Sequence, residues 1–98
     1  MARYTVYRID SGAYLLDVQS DLLDDLTTRI VIPLMPLAEA PKPARRLNPV
    51  FEVGNAPYVL VTQFLAAVPL SLLATPVADL SAHDTEIANA LDMLFHGF

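Results

Sequence analysis

Cysteine is absent from the sequence, which excludes disulfide frameworks, thiolate nucleophiles and Cys-ligated zinc; the fold has to hold by packing alone. Basic residues are scarce. Six Lys and Arg stand against eleven Asp and Glu, for a formal net charge of −5 and a pI near 4.6. Binding a phosphate backbone draws on Lys and Arg that displace counterions, so this balance argues against direct nucleic-acid binding and favours a protein partner. Long hydrophobic runs are missing too. The first eight residues, Met1 to Arg8, alternate instead of forming the continuous apolar stretch of a signal peptide. The richest apolar segment, Phe64 to Leu73, is interrupted by Pro69 and Ser71 and is about half the length of a bilayer span. These features predict a soluble, cytoplasmic protein with no membrane partner.

Catalytic signatures are equally lacking. There is no HExxH, no GxSxG, no Gly-rich phosphate loop and no Cys–His pairing. His83 and His96 are separated by thirteen positions along one predicted helix, too far apart in angle and height to share a metal within one chain. Asp21, Asp24 and Asp25 lack the Gly turn and terminal Glu of a calcium loop and read as solvated carboxylates. Nothing nominates an acid–base pair in a pocket. The expectation is a binder without catalytic residues, metal or cofactor, not an enzyme.

What the sequence has in excess is apolar surface. Of its 98 residues 54% are apolar and the mean hydropathy is +0.42, above the ~45–50% usual for a soluble domain. The length sets one domain over residues 1–98, and a domain of this size buries only about two-thirds of its unfolded surface. The excess therefore points to an interface, most simply that of a homodimer.

Along the chain, Arg3 to Ile9 alternates with period two, meets Asp10-Ser11-Gly12, and resumes from Tyr14 to Val18, which predicts a β-hairpin. Arg29-Ile30-Val31-Ile32 reads as a buried strand closed by Pro33. Before it, Asp21-Leu22-Leu23-Asp24-Asp25-Leu26 mixes carboxylates with leucines, which either pack locally against the sheet or form an exposed contact surface. Pro36 to Pro49 is a long surface loop with four prolines and half of the positive charge, in Lys42, Arg45 and Arg46. Val50 to Val53, a turn at Gly54-Asn55, and Tyr58 to Phe64 predict a second hairpin, followed by a strand around Val68 to Leu73. The sheet, over residues 3–73, is predicted antiparallel with six strands or nearly so.

From Ser81 the period changes. Ile87, Leu91, Leu94, Phe95 and Phe98 gather on one face at about 100° per residue, which predicts an amphipathic helix over about 81–96. Ser81 with Asp84 has the form of an N-terminal cap, and Gly97 sits where the helix stops. Thr85, Asn89, Asp92 and His96 line the opposite face, as an ordinary solvated surface or as a contact surface. His96, four residues after Asp92 near the helix end, is either a hydrated terminal residue or a functional one.

Several blocks, in order, resemble the CcdB toxins of bacterial toxin–antitoxin modules, which poison DNA gyrase. They are Asp17-Val18-Gln19-Ser20-Asp21-Leu22-Leu23-Asp24, Arg29-Ile30-Val31-Ile32-Pro33-Leu34, Val68-Pro69-Leu70-Ser71, Val77-Ala78-Asp79-Leu80-Ser81, and Ile87 through Phe95, followed by a Gly-containing tripeptide. The resemblance implies a mainly β fold with a C-terminal α-helix, an antiparallel SH3-barrel-like sheet shared with the MazF toxins. It implies a homodimer that inserts its C-termini into the dimerisation region of the gyrase A subunit and breaks no bond itself.

Carried over by position, the gyrase-binding residues are Ser20, Leu22, Leu23, Thr85, Asn89, Asp92, His96, Gly97 and Phe98. A CcdA-like antitoxin, a disordered segment that folds on its toxin, is expected near Lys42, Arg45 and Arg46. The ending departs from the family: Trp-Gly-Ile is His96-Gly97-Phe98 here, and an imidazole offers an arginine of the target a smaller stacking face than an indole. The alternatives are a non-toxic dimer that only binds an antitoxin, or a MazF-like mRNA endonuclease, for which the acidic charge leaves no basic groove.

Overall fold

Alternation places the first two strands. In the computed structural model, which describes residues 2–97, β1 spans Thr5–Arg8 and β2 spans Tyr14–Asp17, paired antiparallel with Val6 opposite Leu16. Because neighbours along a strand point to opposite faces, the two faces carry different cores. Val6, Leu16 and Ile32 join Tyr4, Val18, Leu34, Phe51, Val53, Leu60, Leu80 and Ile87 in the main cluster. Tyr7, Leu15 and Val31 form a second, smaller cluster with Leu73.

The central strand is β3, Thr28–Pro36. One side pairs with β2; the other pairs first with β6 (Ala66–Pro69), through residues 28–31, and then with β5 (Ala56–Leu60), through residues 34–36. Pro33 does not close the strand, as the sequence predicts. It lies in the gap where β3 changes partners on that side, and its carbonyl accepts the Val61 N–H (3.0 Å). With β4 (Val50–Val53) and β7 (Thr75–Asp79) the sheet has seven strands, in the order β4-β5-β3-β2-β1-β7 with β6 beside β3.

β7 is the strand that sequence patterning misses; the sheet runs on to Asp79 instead of ending at 73. The strand sits at an edge with mostly exposed residues, so it shows no alternation, and Pro76 interrupts it. Its pairing with β1 shifts register between Val6 and Tyr7, leaving Val77 as the bulged residue. The two strands predicted over 58–64 and 68–73 are each cut short by a 3-10 turn, Thr62–Phe64 and Leu70–Leu72.

The chain ends in α1, Asp84–His96, preceded by a 3-10 turn at Ser81–His83. Ser81 does not cap the helix. Its N–H is instead taken by Asp79 Oδ1 (2.8 Å), a bond that holds the Asp79 carboxyl below its ordinary range. Ile87 and Ala90 are fully buried and Leu91 packs against the main cluster, but Phe95 is 64% exposed, so the apolar stripe outruns the core beneath it. Gly97, at φ +78°, ends the helix by returning its N–H to the Met93 carbonyl (3.1 Å).

The β4–β5 hairpin turns through Gly54 (φ +59°) and Asn55 (φ +67°), with Val53 opposite Ala56. Positive φ at both central residues is the two-residue turn whose twist matches the flanking strands. A side chain at Gly54 meets no neighbour within 4 Å, so its cost is conformational alone. Gly54→Val is expected to lower unfolding free energy by about 1–2 kcal/mol and Asn55→Gly to leave it nearly unchanged, as read by urea denaturation.

Candidate functional site

Between β2 and β3 the chain makes the turn that carries the leucines. Residues Asp21–Leu23 form a 3-10 turn capped by Ser20, whose Oγ accepts the Leu22 N–H (3.2 Å). Leu22 is 95% exposed, and Leu23 and Leu26 are about half exposed. Holding a leucine in water instead of burying it forgoes roughly 1.5–3 kcal/mol. The leucines are thus largely exposed, not packed away against the sheet.

Beneath this turn lies a buried ionic network. Arg29, at the start of β3, is 1% exposed, and Asp17, at the end of β2, is 0%. The Arg29 guanidinium donates from Nε (2.9 Å) to Asp17 Oδ2 and lies 2.8 Å from it through Nη2. Nη1 donates to Asp24 Oδ1 (2.9 Å), and Nη2 also reaches the Gln19 carbonyl (3.2 Å). Asp21 Oδ1 stands 3.7 Å from Nη2 and accepts the Arg3 backbone N–H (2.9 Å). Asp21 and Asp24 are therefore tied to Arg29, not simply solvated as the sequence predicts. Asp25 is exposed.

Gln19, also buried, forks across the same loop. Its Nε2 donates to the carbonyls of Leu23 (3.3 Å) and Thr28 (3.2 Å), and its Oε1 accepts the Ile30 N–H (3.1 Å). Its own N–H goes to Asp17 Oδ1 (3.0 Å), so both Asp17 oxygens are occupied. Burial pushes the Asp17 carboxyl above its ordinary value, against the opposing pull of Arg29 and the Gln19 N–H. Burial alone would lower Arg29, but Asp17 and Asp24 outweigh it and its shift is upward. Sequence reading missed this network. Its only signal is an arginine heading a β-branched run and an aspartate ending an apolar strand.

Beside the turn, an open apolar groove of about 380 Å³ is lined by Val18, Gln19, Ser20, Leu23, Ile30 and Leu65 together with Leu91 and Phe95 of α1. The fold thus brings Ser20 and Leu23, from the sequence-predicted set, against the last turns of α1. Thr85, Asn89, Asp92 and His96 are all exposed on α1. Phe98 lies outside the described residues.

Lys42, Arg45 and Arg46 are elsewhere, on the exposed loop between β3 and β4. Buried Asn48 anchors that loop: Nδ2 donates to the Leu60 carbonyl (3.0 Å) and Gln63 Oε1 (2.8 Å), while Oδ1 accepts the Ala44 N–H (3.0 Å). His83 lies before α1, not on it; its ring packs on Phe51 (4.8 Å between centroids) and Nδ1 is 3.1 Å from Glu86 Oε1. Among the described residues no group of three His, Asp or Glu side chains is placed to hold a metal ion, and no helix is long and apolar enough to cross a membrane.

Removing Arg29 strands a buried carboxylate. Arg29→Met is expected to cost about 3–5 kcal/mol of unfolding free energy at neutral pH, and pairing it with Asp17→Leu to recover most of that loss. The sign of the pH effect follows from Asp17. Without Arg29 its pKa rises further, so the penalty is full above that pKa and shrinks as acid protonates the carboxyl. Denaturation of both proteins at pH 7 and at about pH 5 should show the gap between them narrowing.

Among solved structures, an endoribonuclease from Mycobacterial species superposes on this chain with a TM-score of 0.77 at 15% sequence identity, covering 95% of this chain and 88% of that one. At that identity the likeness shows a shared fold and carries no activity with it. The family match is of a different kind: CcdB (CcdB protein) aligns with residues 3–97. Since that leaves out only the first two residues and the last, the chain belongs to the CcdB family of toxins.

Proposed function

We propose that this CcdB-family toxin acts in the cytoplasm as a homodimer that binds the A subunit of DNA gyrase and traps the enzyme on cleaved DNA, with no bond broken by the toxin itself. The observation that carries this reading is the groove that Ser20 and Leu23 line together with Leu91 and Phe95, with the exposed Leu22 preceding Leu23 in the turn. It supplies an apolar docking surface on the element that carries the C-terminus. In this reading Thr85, Asn89, Asp92 and His96, exposed on α1, are further contacts, and Gly97 and Phe98 follow them in the sequence. Two copies related by a two-fold axis present such a surface twice, matching a partner that is itself two-fold symmetric. Trapping then works by stabilising one conformation of the target.

Exposed apolar side chains away from the groove support self-association. Leu26, Pro69 and Leu70 line a second hollow beside Asp24 and Asp25, and Leu72 is exposed nearby. A CcdA-like antitoxin, disordered when free, is assigned to the loop of Lys42, Arg45 and Arg46, the exposed basic cluster of an otherwise acidic chain.

With His96 where the family has Trp, stacking on a target arginine is weaker, and poisoning is attenuated. Asp92 adds a negative charge on the same face. The fold neighbour's name keeps RNA cleavage as a second reading, but of the six cations Arg29 is buried against carboxylates, which leaves five for a phosphate backbone.

The test is binding of the gyrase A dimerisation fragment, together with gyrase-dependent DNA cleavage and growth arrest on expression. Wild type should sediment as a dimer at micromolar concentration and bind the fragment. Leu22→Ala should weaken binding about tenfold, and His96→Trp should increase both affinity and cleavage. Equal potency of wild type and His96→Trp would remove the attenuation argument. No binding with an intact antitoxin complex would leave an antitoxin-only dimer, and RNA cleavage by the purified protein would favour the endonuclease.

A further inference from the structure

None of residues 20–28 is buried, yet this segment holds an apolar side chain almost wholly in water. A turn with no core of its own takes its shape from polar contacts. Its internal hydrogen bonds are few: the Leu23 N–H to the Ser20 carbonyl (3.0 Å), the Leu26 N–H to the Leu23 carbonyl (3.2 Å) and the Ser20 cap on Leu22. The rest come from beneath and beside it. Gln19 forks onto the Leu23 and Thr28 carbonyls, the Arg3 N–H holds Asp21, and Arg29 holds Asp24.

Arg29 is the residue that joins the two levels. One edge of its guanidinium is saturated by Asp17 in the sheet, and Nη1 reaches outward to Asp24 on the turn. The inner bond answers the requirement that a buried charge be paired. The outer one does not, because Asp24 is half exposed and a pair of that kind adds little to global stability. What it does is local: it pins the turn that carries Leu22, next to an open apolar groove into which a loose leucine could fold back.

We propose that Arg29 and Asp24 are positioning residues for the docking turn. They hold Leu22 outward in its bound arrangement before the partner arrives, so that association loses little conformational entropy. This rests on the reading that Leu22 contacts gyrase A, and extends it to residues that touch no partner.

Asp24→Asn tests it without endangering the core, since Asp17 still neutralises Arg29. Three measurements are needed: the thermal midpoint, amide hydrogen exchange at Leu23 and Leu26, and affinity for the gyrase A dimerisation fragment in wild-type and Leu22→Ala backgrounds. The midpoint should move by no more than about 2 °C, and exchange at the two amides should quicken about tenfold. Affinity should fall about tenfold in the wild-type background and hardly at all in Leu22→Ala, because Asp24 acts through Leu22. Unchanged exchange, or an equal loss of affinity in both backgrounds, overturns the proposal. Should the wild type fail to bind the fragment, the gyrase reading falls on its own. Exchange at Leu23 and Leu26 then still decides the positioning role: acceleration supports it and no change refutes it.

Discussion

The buried guanidinium of Arg29 is the interaction on which the arrangement of the molecule turns. An arginine with 1% exposure is tolerable because Asp17 neutralises it, and the Gln19 carbonyl and Asp24 take further N–H groups, so its partners come from three successive stretches of chain. Ion pairs of this sort add little net stability compared with apolar residues of the same volume. What they impose is geometry, because Nε and Nη2 converge on the single oxygen Oδ2 of Asp17, an arrangement that fails when either partner moves by a fraction of its length. The same junction holds Tyr4 at φ +70°, a conformation unfavourable for a bulky side chain. Tyr4 donates its N–H to the Asp17 carbonyl (2.6 Å) and accepts the Leu80 N–H (2.8 Å). Asp17 thus links the turn of leucines, the first strand and the approach to α1, which fixes the two walls of the groove relative to each other.

The groove itself follows from a mismatch of lengths. α1 runs 13 residues, but only Ile87 and Ala90 are buried, with Leu91 at the margin of the main cluster. Beyond that patch the helix outruns the core: Phe95 is 64% exposed and lines an open hollow together with Leu23.

Much of this was legible in the sequence wherever a pattern has a period. Alternation marked β1 and β2, Gly54-Asn55 marked the β4–β5 turn, and the recurrence of Ile87 and Leu91 marked α1. What escaped has no period. β7 is a largely exposed edge strand broken by Pro76, and Pro33 reads as a terminator unless the change of partner along β3 is known. Phe95 reads as core because helical spacing reports direction but not how far the core extends. The hardest to see was Arg29: its neutralising groups are 12 and 5 positions away and meet it only once β2 and β3 pair. For the candidate site, the leucines among carboxylates and the polar helix face were visible as oddities. That Leu23 shares a groove with Leu91 and Phe95 of α1 required the fold.

This sheet-and-helix fold is shared with an endoribonuclease, which makes the placement of charge, not the fold, the discriminating feature. An RNA-cleaving surface has to spend its cations on phosphates, exposed and grouped along a track. Here the buried cation, Arg29, is turned inward and held by Asp17 and Asp24, while Lys42, Arg45 and Arg46 sit on a separate loop. The surface the network organises is instead apolar and edged with carboxylates, Asp21, Asp24 and Asp25 around Leu22 and Leu23. Such a surface repels a polyanion and suits a protein face that offers apolar contacts with a cationic rim.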